Sequence, residues 1–167
     1  MLAILACAAI TSQSSYLTAP SYLVQASVYT VPTSLELDYE ATWIKGETTK
    51  QGKEVVGQLT PDSTKRLREL GSAGKMKLLA NPSLVVLEGY AGKIRVTGAD
   101  SSSIKVIVRS ESSGIKMDVS IEVQASGSKA PWQFERTLPA VFGETLFVHY
   151  EPWPGSGFIT LFNLKKA

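Results

Sequence analysis

The one histidine of this 167-residue sequence, His149, is the first residue to examine for chemistry. Glu144 and Glu151 lie near it along the chain, a grouping that could supply a proton donor or a metal ligand. With one histidine and one cysteine, however, there is no spacing for a zinc ligand set. No serine has the glycine-flanked elbow of a hydrolase nucleophile. The sequence therefore predicts a protein that is not an enzyme and uses no metal or cofactor.

Three carboxylates alternate along one stretch of chain, at Glu36, Asp38 and Glu40. Residues two apart lie on the same face of a strand, so these side chains could offer oxygen atoms to Ca²⁺. Calcium takes six or more oxygen ligands, and nothing adjacent completes such a set. The solvent-facing side of a strand is the favoured interpretation.

Two tryptophans lie beside prolines or glycines, Trp132 and Trp153. An exposed aromatic face can stack on a sugar or another flat ligand, so both are candidates for ligand stacking. The alternative, which we favour, is that the two rings close the ends of a β-sandwich.

The N-terminal region resembles an export signal. Residues 1–10 are almost entirely apolar, and residues 11–21 form a polar linker rich in Ser, Thr, Ala and Pro. The apolar run lacks the usual positive charge before it and is shorter than the ~20 residues needed to span a bilayer. Cys7 is a candidate for lipidation, because residues 4–7 resemble a lipoprotein cleavage box; the alternative is a leader that is removed. We expect an exported protein, periplasmic or associated with the outer membrane.

The remaining residues, 22–167, are predicted to form a single domain. Hydrophobic residues make up 44% of the chain and charged residues 19%, a balance typical of a globular protein rather than a disordered one. The formal net charge is only +2, and no basic run exceeds Lys165 and Lys166. The sequence therefore shows no electrostatic footprint for nucleic acid.

The hydrophobic pattern predicts a mainly β fold, an antiparallel β-sandwich or meander with one short accessory helix. Apolar residues occupy every second position in residues 115–124 and again in residues 104–109, across a short turn. A hairpin with this pattern buries one face and exposes the other. The predicted strands cover residues 22–31, 35–43, 76–79, 84–87, 93–97, 104–109, 115–124, 134–138, 145–150 and 158–164.

The helix is predicted over residues 61–70. Thr60 can cap its first amides, Pro61 suits its first position, and Asp62 lies near the positive end of the helix dipole. Gly71 and Gly74 supply its stop. Residues 45–57, polar with three glycines, are predicted to form a flexible loop.

The order of these motifs resembles the core domain of the secretin family. Residues 22–29 and 35–39 resemble its opening strands, and residues 74–96 resemble its proline-interrupted strands after the helix. Residues 114–119 and 143–148 resemble two later strands that begin with glycine. The resemblance implies a β-rich scaffold of the kind that assembles into rings in the cell envelope for protein secretion or pilus extrusion. A generic β pattern is the alternative explanation of the same motifs.

The chain departs from that family between residues 96 and 114, where a short polar hairpin replaces the long strands of the membrane gate. A reduced relative would be an envelope scaffold or interaction protein that is not itself a pore. It would associate with itself or with envelope proteins through strand edges, whose unpaired backbone groups can bind another strand. Its contact with the membrane would come only through a lipid anchor. The alternative function is a small periplasmic module that binds a glycan or a peptide.

Overall fold

A computed structural model describes residues 19–32, 34, 35, 37, 41–49, 52–97, 101–124 and 130–167. The predicted leader at residues 1–10, the linker up to residue 18 and Cys7 lie outside the described residues. The carboxylates of the candidate calcium site also lie outside them: Glu36, Asp38 and Glu40.

Two antiparallel sheets and one short helix make up the described part of the chain, which confirms the predicted mainly β fold. In chain order the elements are β1 (Ser21–Val31), β2 (Ala41–Thr49), β3 (Gly52–Leu59), α1 (Pro61–Ser72), β4 (Lys77–Ala80), β5 (Ser83–Leu87), β6 (Ala91–Val96), β7 (Ser101–Glu111), β8 (Gly114–Gln124), β9 (Trp132–Ala140), β10 (Thr145–Trp153) and β11 (Ser156–Lys166).

The larger sheet runs in the order β2-β3-β10-β11-β1, and both β4 and β5 pair with the remaining side of β1. β4 lies beside Val28 and Thr30, whereas β5 lies beside the first half of β1. The two short strands therefore lie end to end along one edge. Between them the Pro82 carbonyl accepts a hydrogen bond from the Ala26 amide at 2.9 Å. The smaller sheet runs in the order β6-β7-β8-β9.

The predicted hairpin is formed by β7 and β8. Its cross-strand pairs Ile104↔Ile121, Val106↔Val119 and Val108↔Met117 are buried in the larger core cluster, which draws side chains from both sheets. Period-two alternation thus places one face of the hairpin against the larger sheet, as predicted.

The helix begins as the sequence predicts and ends two residues later than predicted. The Thr60 hydroxyl accepts a hydrogen bond from the Ser63 amide at 3.2 Å, and Pro61 occupies the first turn. Gly71 lies within α1 and does not stop it, whereas Gly74 follows the helix with φ of 71°, a conformation that favours glycine. Leu67 packs α1 against the outer face of the larger sheet, in a smaller core cluster with Tyr29 of β1, Phe147 of β10 and Ile159 of β11. No helix in the described ranges is long and apolar enough to cross a membrane.

Two predictions between residues 35 and 57 are wrong. Residues 45–57 are not a loop, because Ala41–Thr49 and Gly52–Leu59 form a hairpin, and the second strand also pairs with β10. The strand predicted from residue 35 begins only at Ala41, while Leu35 and Leu37 lie outside the strands and pack against the smaller core cluster. Pairing with β10, far along the chain, overrides the local preference of a polar, glycine-containing segment.

Candidate interaction edge

Exposed apolar side chains are concentrated at one edge of the larger sheet. Five of the seven large hydrophobic residues that are exposed in the described part of the chain fall between residues 78 and 90. They are Leu78 (49% exposed), Leu79 (37%), Val85 (62%), Leu87 (49%) and Tyr90 (66%). We call β4, β5 and the turn to Tyr90 the β4–β5 edge. This concentration of exposed apolar residues makes the β4–β5 edge the candidate interaction surface.

β5 pairs with β1 on one side only. Its register includes Val86↔Tyr22 and Val85↔Leu23, and within the described residues no second strand pairs with its other side. The Leu87 carbonyl accepts a turn hydrogen bond from the Tyr90 amide at 3.0 Å. Apart from that carbonyl, the outward backbone groups of β5 pair with no described strand and are available to another one.

The inner face of β5 is anchored on the smaller sheet. Val86 is buried and Leu84 is half-buried, and both pack over Gly92 of β6. A Cβ atom added to Gly92 would overlap Leu84 Cδ1 and Val86 Cγ1. This close approach holds β5 in place while Val85 and Leu87 face outward.

Both edges of the smaller sheet carry features that discourage strand addition. On β9, Pro139 lacks a backbone donor, and its carbonyl accepts a hydrogen bond from Gln58 Nε2 at 3.3 Å. Arg136 of the same strand forms an ion pair with Glu54 of β3, with 2.6 Å between Nη2 and Oε1. The β6 edge carries the exposed charges Lys93 and Arg95. By contrast, Ser83–Leu87 contains neither charge nor proline.

The structure places the predicted ligand-stacking residue Trp132 in the core. Its side chain is 2% exposed, and its ring stacks on that of Tyr150 with 4.8 Å between centroids and an interplanar angle of 4°. Trp132 therefore presents no open face to a ligand, and its position corresponds to the alternative of closing the sandwich. Trp153 is half-buried and packs against the same core cluster. Ligand stacking by Trp153 stays a prediction.

Tyr150 continues this aromatic stack to Phe158, with 5.4 Å between ring centroids. Its hydroxyl lies 3.4 Å from the Thr160 hydroxyl, inside the core. Desolvation by burial raises the pKa of Tyr150 to about 12, against the smaller opposing effect of that hydrogen bond. The phenol is therefore held in its neutral form.

His149 is half-buried on β10, where it pairs with Val55 of β3 and Ile159 of β11. Of the two glutamates near it in sequence, Glu144 is exposed before β10 and Glu151 is half-buried within that strand. Across the described residues, no three His, Cys, Asp or Glu side chains come together as a metal site.

The sequence predicted a strand at residues 84–87 but not its place at an edge. The available signal was the uncharged run Ser83–Leu87, which carries apolar residues on both faces. A strand covered on both faces has the same pattern, so the pattern alone does not distinguish a central strand from an exposed edge.

The fold and the edge together define a two-sheet antiparallel β protein with an open, apolar strand at one side. No family model, no curated protein and no solved structure matches this chain. The resemblance to the secretin core therefore stays a prediction, and the functional proposal depends on the geometry of the β4–β5 edge.

Proposed function

We propose that this chain is a non-enzymatic scaffold or interaction protein of the cell envelope, which resembles the secretin core. It is associated with protein secretion or pilus assembly and does not itself form a pore. The observation that carries the proposal is the β4–β5 edge, where β5 has one side that pairs with no described strand and five exposed apolar side chains lie nearby. Unpaired backbone groups and apolar surface are the two features that strand addition requires.

In this mechanism a partner strand pairs with the open side of β5. Main-chain hydrogen bonds supply part of the affinity, and the alternating side chains of the partner supply specificity. Val85 and Leu87 lose their exposed surface in the process, which contributes about 25 cal/mol per Å² of buried apolar area. The partner is a second copy of the chain or another envelope protein.

The β7–β8 hairpin supports a role other than a membrane gate. Its apolar face packs in the core between the sheets, and its exposed face carries charged residues such as Lys105, Arg109 and Glu122.

The proposed location in the periplasm or at the outer membrane depends on residues 1–10, which resemble an export signal. Attachment to a membrane would use a lipid on Cys7.

Replacing Val85 with lysine is expected to weaken association at least tenfold, because a charge on an edge strand opposes strand pairing. Val141→Lys is the matched control: Val141 is a valine of similar exposure, 47% against 62% for Val85, and it lies outside the edge. Size-exclusion chromatography with light scattering measures self-association, and co-fractionation with envelope membranes measures binding to other partners. An unmodified chain that is strictly monomeric and binds no envelope fraction would contradict the proposal. Equal losses in both variants would also contradict it.

A further inference from the structure

A polar groove of about 430 Å³ opens on the outer face of the larger sheet, beside the C-terminal half of α1. β1 contributes Gln25, Ser27 and Tyr29 to its lining, while Asn81 and Asn163 lie at its sides. A volume of this size lies within the ~300–1,000 Å³ typical of small-molecule sites.

The groove exists because the helix covers only part of the sheet. Gly71 lets α1 approach Tyr29 closely, since an added Cβ would lie 3.1 Å from Tyr29 Cε1. The next outward positions of β1, Ser27 and Gln25, are half-buried and polar, and Gln25 pairs with Asn163 of β11. The sheet face beyond the helix is therefore polar and open.

Two asparagines of the groove use their side-chain oxygen atoms in hydrogen bonds within the protein. Asn81 Oδ1 accepts from the Ser27 hydroxyl at 2.8 Å, and Asn163 Oδ1 accepts from the Thr145 hydroxyl at 3.0 Å. The Nδ2 groups of both asparagines have no hydrogen-bond partner among the described residues. The side-chain amide of Gln25 also has no hydrogen-bond partner among them, so these groups can bind a ligand.

Arg68 of α1 adds a positive charge to these donors. Within the described part of the chain, its guanidinium forms no ion pair and no acidic residue lines the groove. Leu78, 49% exposed, supplies an apolar wall. The groove therefore combines one cation, several neutral amides and one apolar surface.

We infer that this groove binds a saccharide that carries a carboxylate. A guanidinium pairs with a carboxylate through two parallel hydrogen bonds, so Arg68 selects the acidic group. Side-chain amides both donate to and accept from hydroxyl groups, which suits them to a sugar ring. Leu78 packs against the less polar face of that ring. The groove shares Leu78 with the β4–β5 edge but uses no backbone group of β5, so the loss of one activity does not entail the loss of the other.

The test is a titration of ¹⁵N-labelled protein with D-glucuronate and, separately, with D-glucose. We expect glucuronate to shift the side-chain amide resonances of Gln25, Asn81 and Asn163, and to bind at least tenfold more tightly than glucose. Arg68→Gln is expected to weaken glucuronate binding at least tenfold. Arg66→Gln removes the same charge from an exposed position of the same helix outside the groove, and is expected to leave binding within twofold.

Three results would overturn the inference. The first is the absence of any shift with glucuronate. The second is an equal loss in Arg66→Gln and Arg68→Gln, which would show general charge attraction. The third is equally strong binding of N-acetylglycine, which would show recognition of a carboxylate such as a peptide C-terminus without a sugar.

Discussion

Replacing Gly92 with alanine is expected to lower the free energy of unfolding by about 1–3 kcal/mol, the usual cost of overpacking a core. The new methyl group would overlap Leu84 Cδ1 and Val86 Cγ1, which lie between β5 and β6. Gly92 is not among the glycines with positive φ, so alanine meets no backbone strain there. The cost therefore comes from packing alone, and urea denaturation measures it.

A second substitution, which removes a side chain next to Gly92, tests whether overpacking causes the loss of stability in Gly92→Ala. Leu84→Ala removes one of the two overlapping side chains, so the double variant with Gly92→Ala should be less destabilised than the sum of the single variants. Additive effects would show that the two positions do not compete for space. Because Gly92 supports the inner face of β5, Gly92→Ala should also weaken any association through the β4–β5 edge.

Alkaline pH is expected to remove about 3 kcal/mol of stability through Tyr150. The unfolded phenol has a pKa of 10.0, and burial raises the pKa of the folded one to about 12. Below pH 10 both states are protonated and the stabilisation is fully present. Between pH 10 and pH 12 only the unfolded state ionises, so stability falls as pH rises through this window.

Tyr150→Phe is the matched control, because it keeps the ring and removes the titrating group. Its hydroxyl makes one long contact with Thr160, 3.4 Å, so we expect the variant to lose no more than about 1 kcal/mol at pH 7. Urea denaturation from pH 7 to pH 12 should show a smaller decline for Tyr150→Phe than for the original chain. Parallel declines would mean that other groups cause the alkaline loss.

Local physical chemistry made some elements predictable. The Thr60 cap and Pro61 act within one helical turn, so the start of α1 is determined by residues next to each other. The β7–β8 hairpin is equally local, because its alternation and its short turn belong to one continuous segment. Both predictions are confirmed.

Contacts between distant segments decided two features that the sequence did not settle: the strand at β3 and the burial of Trp132. β3 became a strand because it pairs with β10, and its Glu54 is buried in an ion pair with Arg136, which lies 82 residues away. Such pairing is invisible in a polar segment with three glycines. Trp132 has the same neighbours in sequence whether it is exposed or buried, and its place in the core, stacked on Tyr150, comes from tertiary packing.

The sequence by itself therefore determined the β class, the helix start and the central hairpin, since each depends on residue types at short, regular spacing. Only the tertiary structure decided which strand lies at the open edge and which polar side chains surround the groove beside α1. The β4–β5 edge is open because no strand in the described ranges pairs with the second side of β5, and the groove joins side chains from β1, α1 and β11. Whether a strand edge is exposed, and whether polar side chains from distant segments come together, depends on how those segments pack. The local spacing of residue types does not determine this packing.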